Sequence, residues 1–198
     1  MLVAFAGCDG VGKTTIMHAV QSKLIEKGYS VKALKPLAQG TEFSDNIRAI
    51  RCGYEENAHT LNNKIRVLIA YETLRISKII SAELENFDFI LLDRWTLCQI
   101  VYAIVWQNEE PLADHILQLC IKPDITILVD GDEDMVNRHI DMRSEREDIE
   151  DRAALRRILR TYRKFAANDN SIKMVVNEAG LIEKTIENVL EHLGVSEN

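Results

Sequence analysis

The stretch Gly7-Cys8-Asp9-Gly10-Val11-Gly12-Lys13-Thr14 follows the pattern G-x-x-x-x-G-K-[ST], and its flanks matter as much as its letters. Before it runs the short apolar segment Leu2-Val3-Ala4-Phe5-Ala6. After it, from Thr14 to Lys27, apolar residues recur at helical spacing. A glycine loop between a buried strand and a helix is a cradle for phosphate. The glycines let the chain curl until successive N–H groups converge on phosphate oxygens, and the helix adds the positive end of its dipole. Lys13 is expected to reach the β- and γ-phosphates of a nucleotide, and Thr14 to ligate Mg²⁺. A strand, loop and helix in this order demand a parallel sheet around them.

The rest of the chain supplies that sheet. Continuous apolar or β-branched runs at Leu2–Ala6, Ser30–Leu34, Phe87–Leu92, Asp124–Val129 and Ile172–Val176 read as buried strands. Between and after them, helical spacing covers Thr14–Lys27, Ser44–Arg51, Leu61–Glu85, Leu97–Leu119, Glu133–Asp141, Asp151–Ala167 and Leu181–Leu193. The alternation predicts an α/β protein: a three-layer P-loop NTPase fold with a five-stranded parallel sheet and helices on both faces. With 198 residues and no repeat, low-complexity tract or linker, one domain over residues 1–198 is expected. A net charge of −7 leaves no broad basic face for a nucleic-acid backbone. No apolar run is long enough to span a bilayer, and the apolar start lacks the charged flank of a signal peptide. The four cysteines show neither CxxC pairing nor neighbouring histidines, so they read as reduced thiols in a cytoplasmic enzyme with a small-molecule partner. The five histidines have no paired spacing for a metal or a nucleophile, and no catalytic histidine is expected.

Two further clusters carry charge toward the phosphate loop. Asp93-Arg94-Trp95 follows the apolar run Phe89-Ile90-Leu91-Leu92, which puts Asp93 at the carboxyl end of a central strand, where doubly wound sheets hold ligands. A carboxylate there can bind Mg²⁺ or its waters, and Arg94 can bridge donor and acceptor phosphates. The competing reading, a helix-capping Asp with a solvated Arg, loses ground once the phosphate loop is taken into account. Arg138, Arg143, Arg146 and Arg152 lie among six acidic residues in a stretch with little apolar content. They form either a solvated, salt-bridged helix face or a lid near 138–152 whose arginines close over the phosphates.

Taken together these residues resemble the thymidylate kinase family, a group of P-loop nucleoside monophosphate kinases, nearly end to end. Gly7-Cys8-Asp9-Gly10-Val11-Gly12-Lys13-Thr14-Thr15 is similar to its acid-bearing phosphate loop, and Asp93-Arg94-Trp95 to its Asp-Arg-aromatic motif. Pro36 with Gly40-Thr41 and Asn46-Ile47-Arg48 resembles its Pro-Gly-Gly-Thr loop and the following Ile-Arg, with Ala38 and Gln39 inserted. Cys98-Gln99-Ile100-Val101-Tyr102 falls at the family's Ser, Asn or Gln, and Tyr spacing, with Cys98 in place of the Ser. Arg143-Ser144-Glu145-Arg146 is similar to the arginine-bearing lid of bacterial-type members. The resemblance implies transfer of the ATP γ-phosphate to a nucleoside monophosphate, foremost dTMP, by a homodimer packed through long helices. By the same token ATP would lie on Asp9, Gly10, Val11, Gly12, Lys13, Thr14 and Thr15, with Mg²⁺ on Thr14 and Asp93. Asp9 would bond the acceptor sugar, Pro36 would line the acceptor site, and Arg48 and Arg94 would hold its phosphate. Gln99 would face the base and Tyr102 the deoxyribose. Lys13, Asp93, Arg94, Arg143 and Arg146 would carry the chemistry, and the segment around Asn177-Glu178-Ala179 would lie beside adenine.

The long third helix departs from the pattern. Where the family has a Phe stacked on thymine and an Arg four residues on, this chain has Leu68 or Ile69 and then Glu72 or Thr73, with Tyr71 and Arg75 within one turn. Leu68, Ile69 and Tyr71 are expected to be ordinary helix core. The departure keeps open a same-fold kinase for a modified nucleotide or a nucleoside. A nucleotide-driven ATPase switch is the rival of another class. Its marks are missing, because Asn63-Lys64-Ile65-Arg66 lacks the Asp of NKxD and Asp130-Gly131 does not begin a DxxG.

Overall fold

The computed structural model describes residues 1–37, 41–53, 58–108, 110–141, 152–178 and 180–195. Five strands, β1 (Leu2–Ala6), β2 (Val31–Leu34), β3 (Phe89–Asp93), β4 (Ile125–Asp130) and β5 (Ile172–Val176), form one sheet in the order β2-β3-β1-β4-β5. All four pairings are parallel; β1 sits at the centre, with Phe5 opposite Asp93 on one side and Ile127 on the other. The helices among the described residues are α1 (Lys13–Glu26), α2 (Glu42–Gly53), α3 (Ala58–Glu83), α4 (Thr96–Trp106), α5 (Pro111–Gln118), α6 (Glu133–Asp141), α7 (Arg152–Asn168) and α8 (Ile182–His192).

Because successive strand residues point to opposite faces, the two cores can be read from β1 itself. Val3 and Phe5 enter one core with Ile16, Val20 and Leu24 of α1 and Ile158 and Tyr162 of α7. Leu2 and Ala4 enter the other with Ala70 and Ile80 of α3 and Ile116 of α5. Every residue of β1, β3 and β4 is buried, which is why these strands are continuous apolar runs with no alternation.

One predicted element is two. The expected helix Leu97–Leu119 divides into α4 and α5 because Gln107 turns left-handed at φ 54° and closes α4. Pro111 then opens α5, where a missing N–H costs nothing, and the Glu110 side chain caps it by accepting from the Leu112 amide at 3.3 Å. The fixed ring and absent donor that suit Pro111 to a first turn would break a helix interior.

The phosphate loop is held by close backbone contact. A Cβ on Gly7, at φ 143°, would lie 2.4 Å from the Val129 carbonyl oxygen of β4. Gly28, at φ 89°, has open space around its Cβ position. Gly7→Ala is therefore expected to cost about 2 kcal/mol or more, from strain plus overlap, and Gly28→Ala about 1 kcal/mol from strain alone. Denaturant midpoints of the two variants check the order; equal losses would show that the Val129 contact is slack.

Candidate active site

A cavity of about 880 Å³ opens at the carboxyl ends of β1, β2 and β3, walled by the phosphate loop, the residues after β2, the inner face of α3, and α4. The loop from Gly7 to Lys13 has its carbonyls turned away and tied. Lys13 Nζ donates to the Cys8 carbonyl at 2.8 Å, Asn177 Nδ2 donates to the Val11 carbonyl at 2.9 Å, and His139 Nδ1 lies 2.8 Å from the Gly10 carbonyl. Those contacts hold the loop's shape beside the N-terminus of α1, whose positive end suits an anion. Gly12, at φ 94°, provides the left-handed turn into α1, and a Cβ there would lie 2.6 Å from Asn177 Nδ2.

Burial tunes the groups at the loop. Lys13 is almost wholly buried, and desolvation, helped by the nearby Arg94 charge, lowers its pKa to about 8. Burial pushes the Cys8 thiol up to about 12, so this cysteine stays protonated and inert. Thr14 Oγ1 donates to Asp93 Oδ2 at 2.8 Å, while Asp93 Oδ1 is buried without a hydrogen-bond partner among the described residues. Oxygen ligands beside phosphate are what Mg²⁺ takes, usually one or two carboxylates plus waters and substrate, so this pair fits that ion.

Arg94 leaves the end of β3 at φ 71°, a left-handed conformation costing roughly 1–2 kcal/mol for a non-glycine residue. Its amide still donates to the Phe5 carbonyl at 3.0 Å. Its guanidinium forms an ion pair with Asp9 Oδ1 and lies 5.5 Å from the Tyr102 ring centroid. Tyr102 Oη donates to the other Asp9 oxygen at 2.6 Å. Burial raises the Tyr102 pKa well above its usual value, with the Asp9 carboxylate adding to the rise and Arg94 opposing it. For Arg94, burial works against the charge, but Tyr102 and Asp9 outweigh it and hold the guanidinium protonated. Asp9, Arg94 and Tyr102 are thus one network spanning loop, β3 and α4.

Of the residues proposed from sequence, Asp9, Gly10, Gly12, Lys13, Thr14, Thr15, Pro36, Asp93, Arg94, Gln99 and Tyr102 all line this cavity. Val11 turns its side chain into the core. Arg48 is exposed on α2 and is not among the lining residues, whereas Arg51, three positions on, is, together with Lys35. Arg143 and Arg146, with most of the 138–152 segment, lie outside the described residues, as do Gln39, Gly40 and Ala179. On α3 the register resolves to Ile69 and Thr73, which line the cavity. The expectation of a core role for Leu68 and Tyr71 is corrected: they are 42% and 62% exposed, on the opposite, outward side. Arg75 is no substitute cation for the cavity, since it pairs outside with Glu72 at 2.7 Å. The sequence reading missed Arg51, Lys35, His139 and the cavity-lining Arg66.

A phosphate loop at the head of a central strand, a carboxylate paired with the loop threonine, and an arginine aimed into the same cavity define a P-loop kinase acting on a phosphorylated acceptor. A model of the thymidylate kinase family matches residues 5–189, and the chain belongs to that family. It is accordingly an ATP-dependent nucleoside monophosphate kinase. It is 25% identical to the probable thymidylate kinase of Archaeoglobus fulgidus over 96% of this chain and 92% of that protein. It is 24% identical to the thymidylate kinase of Mycoplasmopsis agalactiae over 98% of this chain and 94% of that one. Thymidylate kinase structures from Candida albicans (TM-score 0.75, 18% identity, 98% of this chain and 90% of that one) and Ehrlichia chaffeensis (0.69, 20%, 98% of both) share its fold.

Proposed function

We propose that the protein phosphorylates dTMP to dTDP with Mg-ATP. The observation that supports this reading is one cavity lined by the phosphate loop, Arg94, Gln99 and Tyr102, with room for a nucleotide's sugar and base beyond its phosphate. The acceptor phosphate attacks the γ-phosphorus in line, forming one P–O bond as the bond to the β-phosphate oxygen breaks and ADP leaves. A monophosphate has a second pKa near 6, so its oxygen is already anionic at neutral pH and no general base is required. Lys13 and Arg94 meet the charge that develops, and Asp9 and Tyr102 hold the guanidinium in place. Thr14 and Asp93 would hold Mg²⁺, which when bound neutralises charge on the β- and γ-phosphates. Arg143 and Arg146 are proposed to close over the phosphates as a lid, and Lys35 and Arg51, which line the cavity, are proposed for the acceptor phosphate, with Arg48 three positions away on α2.

We place the enzyme in the cytoplasm as a homodimer. No described helix is long and apolar enough to cross a membrane, and Cys8, Cys98 and Cys120 are buried free thiols. The exposed Leu68, Tyr71 and Ile79 form one stripe of α3, which supports a helix-to-helix contact with a second copy.

The test is ADP release from Mg-ATP with dTMP, dUMP, dCMP, AMP and the free nucleosides as acceptors. Turnover with dTMP and none with thymidine is expected. Turnover with a nucleoside alone would move the protein to nucleoside kinases, and hydrolysis indifferent to acceptor would favour a nucleotide-driven switch.

A further inference from the structure

Thr73 is completely buried on α3, and its hydroxyl donates its only proton to the Ile69 carbonyl at 2.8 Å. Oγ1 can therefore meet any other neighbour only as an acceptor. That neighbour is Gln99 Nε2, 2.6 Å away on α4. A glutamine amide has a donor end and an acceptor end that a half-turn would exchange. The exchange is disfavoured here, since turning Oε1 toward Thr73 would require the hydroxyl to leave the Ile69 carbonyl in order to donate to it. The amide oxygen is the atom left unpartnered. Gln99 Oε1 is buried and has no hydrogen-bond partner among the described residues, and both Gln99 and Thr73 line the cavity.

We propose that Thr73 is a specificity-determining positioning residue. By fixing the amide of Gln99 it aims the unpartnered amide oxygen at the acceptor base, so that the site takes a base carrying an N–H at that edge. Among pyrimidines this selects the 4-oxo class, whose ring N3 bears a proton, over the 4-amino class, whose N3 is a bare acceptor. A buried oxygen facing a second acceptor leaves both unpaired, and binding suffers for it. Thr73 stands at one of the two positions where family resemblance would place an arginine, so a hydrogen-bond relay here acts where a cation is absent. The inference rests on the reading of this half of the cavity as the acceptor-base site.

The experiment compares kcat/KM for dTMP and dCMP in the wild-type protein, Thr73→Val and Thr73→Ser. The wild type is expected to prefer dTMP. Valine keeps the shape and removes the hydroxyl, which frees the amide to turn and donate to cytosine N3. The dTMP/dCMP ratio should then fall about tenfold, one hydrogen bond's worth, with dCMP turnover rising in absolute terms and KM for ATP unchanged. Thr73→Ser should restore the wild-type ratio. A gain with dCMP cannot come from a damaged fold, which would lower both rates. An unchanged ratio in Thr73→Val, or a wild type that prefers dCMP, overturns the role of Thr73 and leaves the kinase reading intact. A wild type inactive with every monophosphate overturns the kinase reading itself.

Discussion

Lys13→Met is expected to lower kcat/KM for ATP by about a thousandfold or more and yet to raise the thermal stability of the protein. The loss follows from removing the one cation of the phosphate loop, whose Nζ is anchored on the Cys8 carbonyl. The gain follows from its burial. Lys13 has its pKa lowered from 10.5 to about 8, so the folded protein holds the proton less tightly than the unfolded chain does. At pH 7 the folded state carries the full cost of a buried charge, on the order of 3 kcal/mol. As pH rises from about 8 to 10.5 the unfolded chain binds more protons than the folded one, so this cost disappears in that window. Wild-type stability should therefore rise through that range relative to Lys13→Met, which lacks the group. The same titration weakens ATP binding above pH 8, because a neutral amine offers phosphate no charge. Melting curves at pH 7 decide the first point: a variant less stable than wild type would mean that Lys13 is a net support of the fold.

Arg94→Ala is expected to cut kcat by roughly 10²–10⁴ while KM for ATP stays within a few-fold, on the proposed role of its guanidinium at the transferred phosphate. Arg94→Lys should recover little. A lysine keeps the charge but loses the planar fork that reaches Asp9 and stacks near Tyr102. Removing Arg94 also relieves a left-handed φ of 71° only if glycine replaces it, so Arg94→Gly should be no more active than Arg94→Ala although its backbone is less strained. Steady-state rates at saturating ATP and dTMP measure this. A kcat for Arg94→Ala within tenfold of wild type would remove Arg94 from the chemistry and leave it the partner of Asp9.

The parts of this molecule legible from sequence are those that one local rule settles. The central strands β1, β3 and β4 show as apolar runs because burial on both faces removes alternation, the less buried edge strands β2 and β5 show through their apolar and β-branched content, and the phosphate loop shows because its glycines are forced by backbone contacts such as that of Gly7 with Val129. What escaped depends on how distant pieces meet. Arg48 and Arg51 share a face of α2 three residues apart, and only the tilt of that helix decides which one reaches the cavity. Leu68 and Tyr71 are apolar yet point outward, which composition alone assigns to a core. The break between α4 and α5 was signalled by Pro111, but the apolar spacing on either side of it concealed the turn. The Thr73–Gln99 relay links residues 26 apart on different helices, and no spacing rule joins them.

The tie between Val11 and Asn177 gives the nucleotide seat a place in time as well as in space. The two residues are 166 positions apart, and β1 itself is flanked by strands that begin at Phe89 and Ile125. A chain made from its amino end thus carries the loop sequence early but cannot finish the cradle until its fifth strand has been synthesised and has docked. The cradle with Asn177 on the Val11 carbonyl thus exists only in a chain whose fifth strand has docked.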